Sequence, residues 1–199
     1  MDISNYGKIT TIEKRMDIRR LSIPELIVLT PDRFGDERGF FSETYSKKKF
    51  DELIGKPINF VQDNHSYSRD RGVLRGLHFQ RAPFEQSKLV RVSRGRVFDV
   101  AVDIRRSSPT YGKWAGVELS AEEGNQLFIP KGFLHGFLTL EANTEFQYKV
   151  DNPYSPEHDA GVQWNDPDVN IDWPIGAADP ILSEKDRKLP RLSAVDNLI

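Results

Sequence analysis

The chain has 199 residues, with 28 Lys and Arg against 30 Asp and Glu and a formal net charge of -2, a length that suits one domain able to fold without covalent staples. It contains no cysteine, which excludes disulfides, thiolate nucleophiles and thiolate metal sites and makes a reducing, cytoplasmic setting the expectation. Charges of both signs are interspersed and no apolar run approaches a membrane span, so a nucleic-acid surface and a transmembrane segment are both disfavoured.

Residues 1–17 are polar and aperiodic, lack the apolar stretch of a secretory signal, and read as an N-terminal extension. Residues 18–199 are expected to form the single domain. Within it, short alternating or apolar runs at 26–29, 39–45, 59–63, 73–79, 89–93, 97–104, 114–119, 126–129, 136–140 and 144–150 predict strands. Only the stretch from Ser46 to Gly55 has a helical pattern, with Ser46 as a possible cap and Gly55 as a stop. The runs on either side of Arg94-Gly95 predict a hairpin. In its second strand Phe98, Val100, Val102 and Ile104 share one face, and Asp99 and Asp103 lie on the other, less apolar one. After Asn152 the sequence is rich in Pro, Asp and Trp, and predicts an irregular tail packed over the β body by its aromatics. Many short strands with little helix mean a β sandwich or barrel.

The stretch Gln62 to Gln80 carries the strongest functional signal, because it puts Arg75 and His78 into an otherwise apolar strand. Ionisable groups enter such places rarely unless they are partnered or used. Period two assigns Arg75 and His78 to opposite faces, so both can enter one cavity only if Gly76 hosts a bulge or bend. A second segment, Ile129 to Phe137, is a P-x-G-x-x-H turn that leads His135 into another strand.

Together these two segments resemble the cupin pattern, which implies a double-stranded β-helix, a jelly-roll barrel with a few short helices. Metal-binding cupins carry H-x-H followed by Glu in the first segment, whereas here it reads His78-Phe79-Gln80. A divalent metal held by imidazoles generally needs three or four protein ligands. His78 and His135 alone occupy such positions, with Glu85 the one nearby carboxylate, so the expectation is a barrel without a metal.

The resemblance narrows further on a dense set of motifs spread in order over roughly residues 20–190: FGDERGFFSE from Phe34, QDN from Gln62, LRGLHFQ from Leu74, KLVR from Lys88, FDVAVDIR from Phe98, the segment 129–137, WND from Trp164 and LSEKD from Leu182. In these the chain resembles the dTDP-4-dehydrorhamnose 3,5-epimerase family. What the resemblance implies is an enzyme acting without a cofactor on a dTDP-4-keto-6-deoxy-hexose, removing protons beside the ketone and returning them on the opposite face. His78 matches the general base, Asp186 the carboxylate that orients it, Tyr148 the proton donor across the ring, and Lys88 a cation for the developing enolate. Arg75 matches a cation near the sugar and diphosphate. Arg38, Glu43, Gln62 and Asn64 match nucleotide-binding positions, with Phe34 available to stack near the thymine. His135 and Asp99 match cavity-lining support, and Asp159 and Lys185 lie near the nucleotide or sugar. In the family part of this set reaches across a subunit interface, which implies a homodimer. The alternatives are a one-centre epimerase on a related dTDP-4-keto sugar, or a non-catalytic cupin that binds a sugar nucleotide.

Overall fold

The computed structural model describes residues 16–176 and 179–195. In chain order the elements are β1 (Asp17–Arg20), β2 (Ile27–Thr30), β3 (Phe34–Asp36), β4 (Gly39–Phe41), α1 (Lys47–Ile54), β5 (Gln62–Ser68), β6 (Leu74–Gln80), β7 (Lys88–Arg94), β8 (Arg96–Asp103), β9 (Trp114–Ser120), β10 (Gln126–Ile129), β11 (Phe133–Thr139), β12 (Thr144–Val150), β13 (Asp159–Gly161) and α2 (Glu184–Arg187), followed by a 3-10 turn at Leu192–Ala194. Two antiparallel sheets face each other: six strands in the order β1-β2-β10-β7-β12-β5, and five in the order β13-β6-β11-β8-β9. The ribbon β3-β4 stands apart from both. This is the expected cupin-type jelly roll.

Strand periodicity decides which side chains enter the barrel. Val90 and Val92 of β7, Val97 and Ala101 of β8, Leu127 and Ile129 of β10, and Phe133 and Phe137 of β11 meet in one cluster between the sheets. Because alternate residues share a face, the register that buries these side chains also turns Lys88, Asp99 and His135 inward. The outer face of the five-stranded sheet is apolar too: Val100, Val102 and Ile104 pack there with Leu74, Leu77 and Phe79 beneath Val162, Val169, Trp173 and Leu192 of the tail. The aromatic-rich tail thus covers the β body as expected, although it contributes β13 and α2 and is less irregular than the composition suggests. On the opposite side Phe50 of α1 packs on Ile27, Leu89 and Phe128 of the six-stranded sheet. Ser46 takes the N-cap position of α1 without a side-chain capping bond, and Gly55 ends the helix.

The predicted hairpin does not form. β7 pairs with β10 and β12, whereas β8 pairs with β11 and β9. The chain crosses from one sheet to the other at Gly95, where φ is +79° and an added Cβ would overlap the Thr144 side chain. A local Gly turn specifies a sharp change of direction, and the facing apolar sides of the two strands then carry them apart into opposite walls. Asp103, at the end of β8, is wholly buried. Burial raises its carboxyl, but hydrogen bonds from Arg105, Ser108 and Thr110 outweigh that and hold it at about 2. Of the N-terminal extension, residues 1–15 lie outside the described residues, and Asp17 already pairs with Thr30 in β1. Among the described residues no helix is long and apolar enough to cross a membrane.

The irregularity expected at Gly76 is present. β11 pairs with β6 through His135↔His78 and then Phe137↔Arg75, so three steps along β6 oppose two along β11. The extra residue is Gly76, at φ +124°. A Cβ there would sit 2.7 Å from the Gly136 Cα and 2.8 Å from the His135 carbonyl oxygen. The bulge keeps Leu74 and Leu77 on the outer face while both Arg75 and His78 reach the inner one. Gly76→Ala is therefore expected to destabilise the fold by about 2 kcal/mol or more, from a forbidden φ and backbone overlap together. Chemical denaturation of the variant measures this, and a loss below about 0.5 kcal/mol would show that the two strands move apart freely.

Candidate active site

Between the sheets lies a cavity of about 260 Å³. The five-stranded sheet supplies Arg75 and His78 from β6 and His135 and Phe137 from β11, and the six-stranded sheet supplies Ser66, Lys88, Phe146 and Tyr148. Ser183, Lys185 and Asp186 close the side at α2. That segment is pinned to β6 by the backbone: Leu74 donates to the Ile181 carbonyl and Ile181 to that of Gly72.

His78 Nε2 lies 2.6 Å from Asp186 Oδ1. The Asp186 side chain is 5% exposed and that of His78 is 29% exposed, so the carboxylate is sequestered while the imidazole borders open space. Burial pushes the Asp186 carboxyl up, but the His78 hydrogen bond and charge, with help from Ser183 and Lys185, prevail and hold it below the ordinary range. A neutral His78 that donates Nε2–H to this carboxylate carries its lone pair on Nδ1, ready to accept a proton.

A second buried pair lies behind the first. His135 Nε2 is 3.1 and 3.0 Å from the two oxygens of Asp99. Burial pushes the His135 imidazole down and the Asp99 carboxyl up, each opposed by the other's charge. Lys88 is buried beside them: desolvation lowers its ammonium to about 8, and the Asp99 and Asp159 carboxylates hold it from falling further. An amine so placed is a cation near neutral pH that gains from negative charge developing in the cavity. On the facing wall, burial pushes the Tyr148 phenol up, with Arg75 opposing, which keeps the hydroxyl protonated until a strong base approaches.

The arrangement gathers an imidazole, a buried ammonium and a phenol around one cavity. Residues 20–194 match the family model described as dTDP-4-dehydrorhamnose 3,5-epimerase. The chain belongs to that family. It is 54% identical to the dTDP-4-dehydrorhamnose 3,5-epimerase of Salmonella typhimurium, over 89% of this chain and 96% of that one. With the Escherichia coli protein of the same description it shares 53% identity, over 92% and 97%. Among solved structures, a Legionella pneumophila dTDP-6-deoxy-D-glucose-3,5-epimerase in complex with dTDP-4-keto-L-rhamnose superposes with a TM-score of 0.88 at 48% identity, covering 92% of this chain and 95% of its own.

Of the positions that the epimerase motifs mark, His78, Asp186, Tyr148, Lys88, Arg75, His135 and Lys185 all line the cavity, and Asp99 supports it through His135. Asp159 stands at its edge, paired with Lys185 and 3.0 Å from the Tyr154 hydroxyl. Gln62 and Asn64 join side chain to side chain at 2.8 Å on β5, where Asn64 is the register partner of Tyr148. Gln62 also accepts the Tyr154 backbone N–H at 3.0 Å. Phe34, Arg38 and Glu43 are not brought to this cavity within one chain. Phe34 stacks on Phe41 in the ribbon, Arg38 pairs with Asp36 on the surface, and Glu43 pairs with Lys49 at 2.6 Å. The motifs miss Ser66 and Tyr154, and they contain Ser183 without assigning it a role. Ser66 was legible as the inward neighbour of Asn64 once β5 is placed at 62–68, three residues beyond the predicted start. Among the described residues no group of three or more His, Asp or Glu side chains is gathered to hold a metal ion, and Glu85 does not line this cavity.

If Asp99 is the main counter-charge of Lys88, Asp99→Asn will move the Lys88 midpoint below about 8. An NMR titration of the lysine Cε resonances reads this directly, and an unchanged midpoint would assign the support to Asp159 instead.

Proposed function

We propose that the chain catalyses epimerisation at C3 and C5 of dTDP-4-dehydro-6-deoxy-D-glucose, yielding dTDP-4-dehydro-L-rhamnose, without a cofactor. The observation that carries this reading is the placement of His78, bonded to Asp186 of α2, and of Tyr148 on opposing sheets of one cavity. The C4 ketone acidifies the C–H bonds on either side of it. His78 Nδ1 takes one such proton, Asp186 stabilises the resulting imidazolium, and the electron pair moves onto the ketone oxygen as an enolate facing the Lys88 ammonium. Tyr148 then delivers a proton to the same carbon from the other face, inverting it and restoring the ketone; the His78 imidazolium gives up its proton to solvent and Tyr148 regains one from solvent, which resets both groups. Repetition at the second carbon completes the conversion. The nucleotide sugar held by the Legionella relative supports this substrate class.

In heavy water the wild type should place deuterium at both C3 and C5 of the product. His78→Asn should lower exchange by roughly 10³-fold or more. Tyr148→Phe should retain wash-in of deuterium at the abstracted position while inverted product falls by roughly 10²-fold. Proton NMR of the sugar distinguishes the outcomes: label at one carbon only would replace this reading with single-centre epimerisation, and no label at all would leave a binding protein.

We further propose a cytoplasmic homodimer in which the β3-β4 ribbon of each subunit completes the nucleotide end of its partner's site. Phe40 and Phe41 are 61% and 69% exposed, an unusual surface for a three-residue strand. The exposed ion pair of Arg38 contributes little to stability, so its guanidinium can exchange a carboxylate for a diphosphate at small cost. Gln62 and Asn64 would meet the nucleotide from the subunit that holds His78. Arg38→Ala and His78→Asn subunits, each nearly inactive alone, should recover activity when unfolded and refolded together, because the mixed dimer contains one site with both residues intact. No recovery in a mixture shown by native mass spectrometry to contain heterodimers would place the ribbon in its own subunit's site.

A further inference from the structure

The motif match gives Ser183 no role, yet its hydroxyl is built into the proton-transfer pair. Ser183 Oγ donates to Asp186 Oδ2 at 2.8 Å and accepts the Asp186 backbone N–H at 3.1 Å. The other carboxylate oxygen, Oδ1, is the one that meets His78. A hydroxyl has a single proton to give; with the backbone N–H on its lone pair, that proton has one direction. We infer that Ser183 is a positioning residue for proton transfer: it fixes the plane of the Asp186 carboxylate so that Oδ1 faces the imidazole, and it moderates how tightly the carboxylate holds a proton on His78.

The reasoning is geometric. Asp186 is 4% exposed, so water is poorly placed to replace the hydroxyl on Oδ2. Without that donor the carboxylate can turn about its Cβ–Cγ bond, and its full basicity is directed at His78. The imidazolium is then over-stabilised and returns its proton less readily. The titratable and charged groups facing the pair are Lys185 beside it in α2, Arg75 from β6, Lys88 from β7, His135 from β11 and Tyr148 from β12. The Ser183 hydroxyl bonds to Asp186 and to none of these groups, so a change in behaviour reports on its contact with the carboxylate.

The inference rests on the His78–Asp186 reading above, and the test separates the two. Ser183→Ala and Ser183→Gly both delete the donor, and Gly is tolerated at an N-cap at little cost, which covers the case in which Ala disturbs α2. Ser183→Thr keeps the hydroxyl. In both deletion variants the acid limb of kcat/KM should move up by about half a pH unit. Their kcat should fall roughly tenfold with KM unchanged, and Thr should restore the wild-type profile. The His78 imidazole midpoint, followed by NMR in the absence of substrate, should rise by a similar amount. Deletion variants that lose rate by the same factor at every pH, with the limb and the imidazole midpoint unmoved, would overturn the inference and leave Ser183 as a helix cap. A wild type without proton exchange would instead remove the proposed reaction, and the imidazole titration alone would then decide the role of Ser183.

Discussion

The site depends on one close approach between backbones. Gly76 of β6 and Gly136 of β11 pass so near each other that neither leaves room for a side chain: a Cβ on Gly136 would lie 2.8 Å from the Arg75 carbonyl oxygen, and one on Gly76 would overlap Gly136 itself. That contact permits the extra residue in β6, and the extra residue is what resolves a conflict in the strand. Leu74, Leu77 and Phe79 must remain under the tail for the outer face to stay dry, while His78 and Arg75 must enter the barrel. In a regular strand a one-residue slip would reverse every side chain at once. The bulge shifts phase only between Arg75 and Leu77.

Once His78 faces inward, the opposite sheet determines what it faces. The register that buries Val90 brings Lys88 to the same wall, and the register that buries Phe146 brings Tyr148. The barrel therefore has an apolar section and a section of paired charges within a single set of strands. Charges buried this way carry a desolvation cost that well-packed apolar side chains would avoid, and deleting one partner of such a pair typically costs roughly 3–5 kcal/mol. Pairing offsets part of the cost: His135 with Asp99, His78 with Asp186, and Lys88 between Asp99 and Asp159. What remains is visible in Lys88, whose ammonium is pushed down to about 8 by burial.

Much of this was legible in the sequence because it follows from period two. The parity clash between Arg75 and His78 was enough to locate the irregularity at Gly76, and eight of the ten predicted strands are matched to within about three residues at each end. The failures have a common cause in signals that are local while pairing is not. Arg94-Gly95 marks a sharp turn, but nothing in those residues says whether the next strand returns beside β7 or crosses to the other sheet. β5 was placed early because QDNHSYS has no apolar alternation to mark it. Its inward side chains are polar, as befits the wall of a polar cavity. Phe34 to Asp36 carries the strand signal of only three residues. Asp186 is separated from His78 by 108 residues, so its role came from the resemblance of the LSEKD motif and not from any spacing.

The division between sheets also bears on why an epimerase would use this fold. Inversion at carbon requires that the group removing a proton and the group returning one approach from opposite sides of a nearly planar enolate, and a single strand or sheet presents its residues from one side only. Two facing sheets supply both sides, and the distance between them is set by the same core that stabilises the fold: Phe137 and Phe146, one from each sheet, stack at 4.0 Å between centroids and line the cavity. The His78 and Tyr148 walls are thus held apart by packed aromatic rings, not by a flexible loop. The spacing of these two walls is therefore set by the core itself.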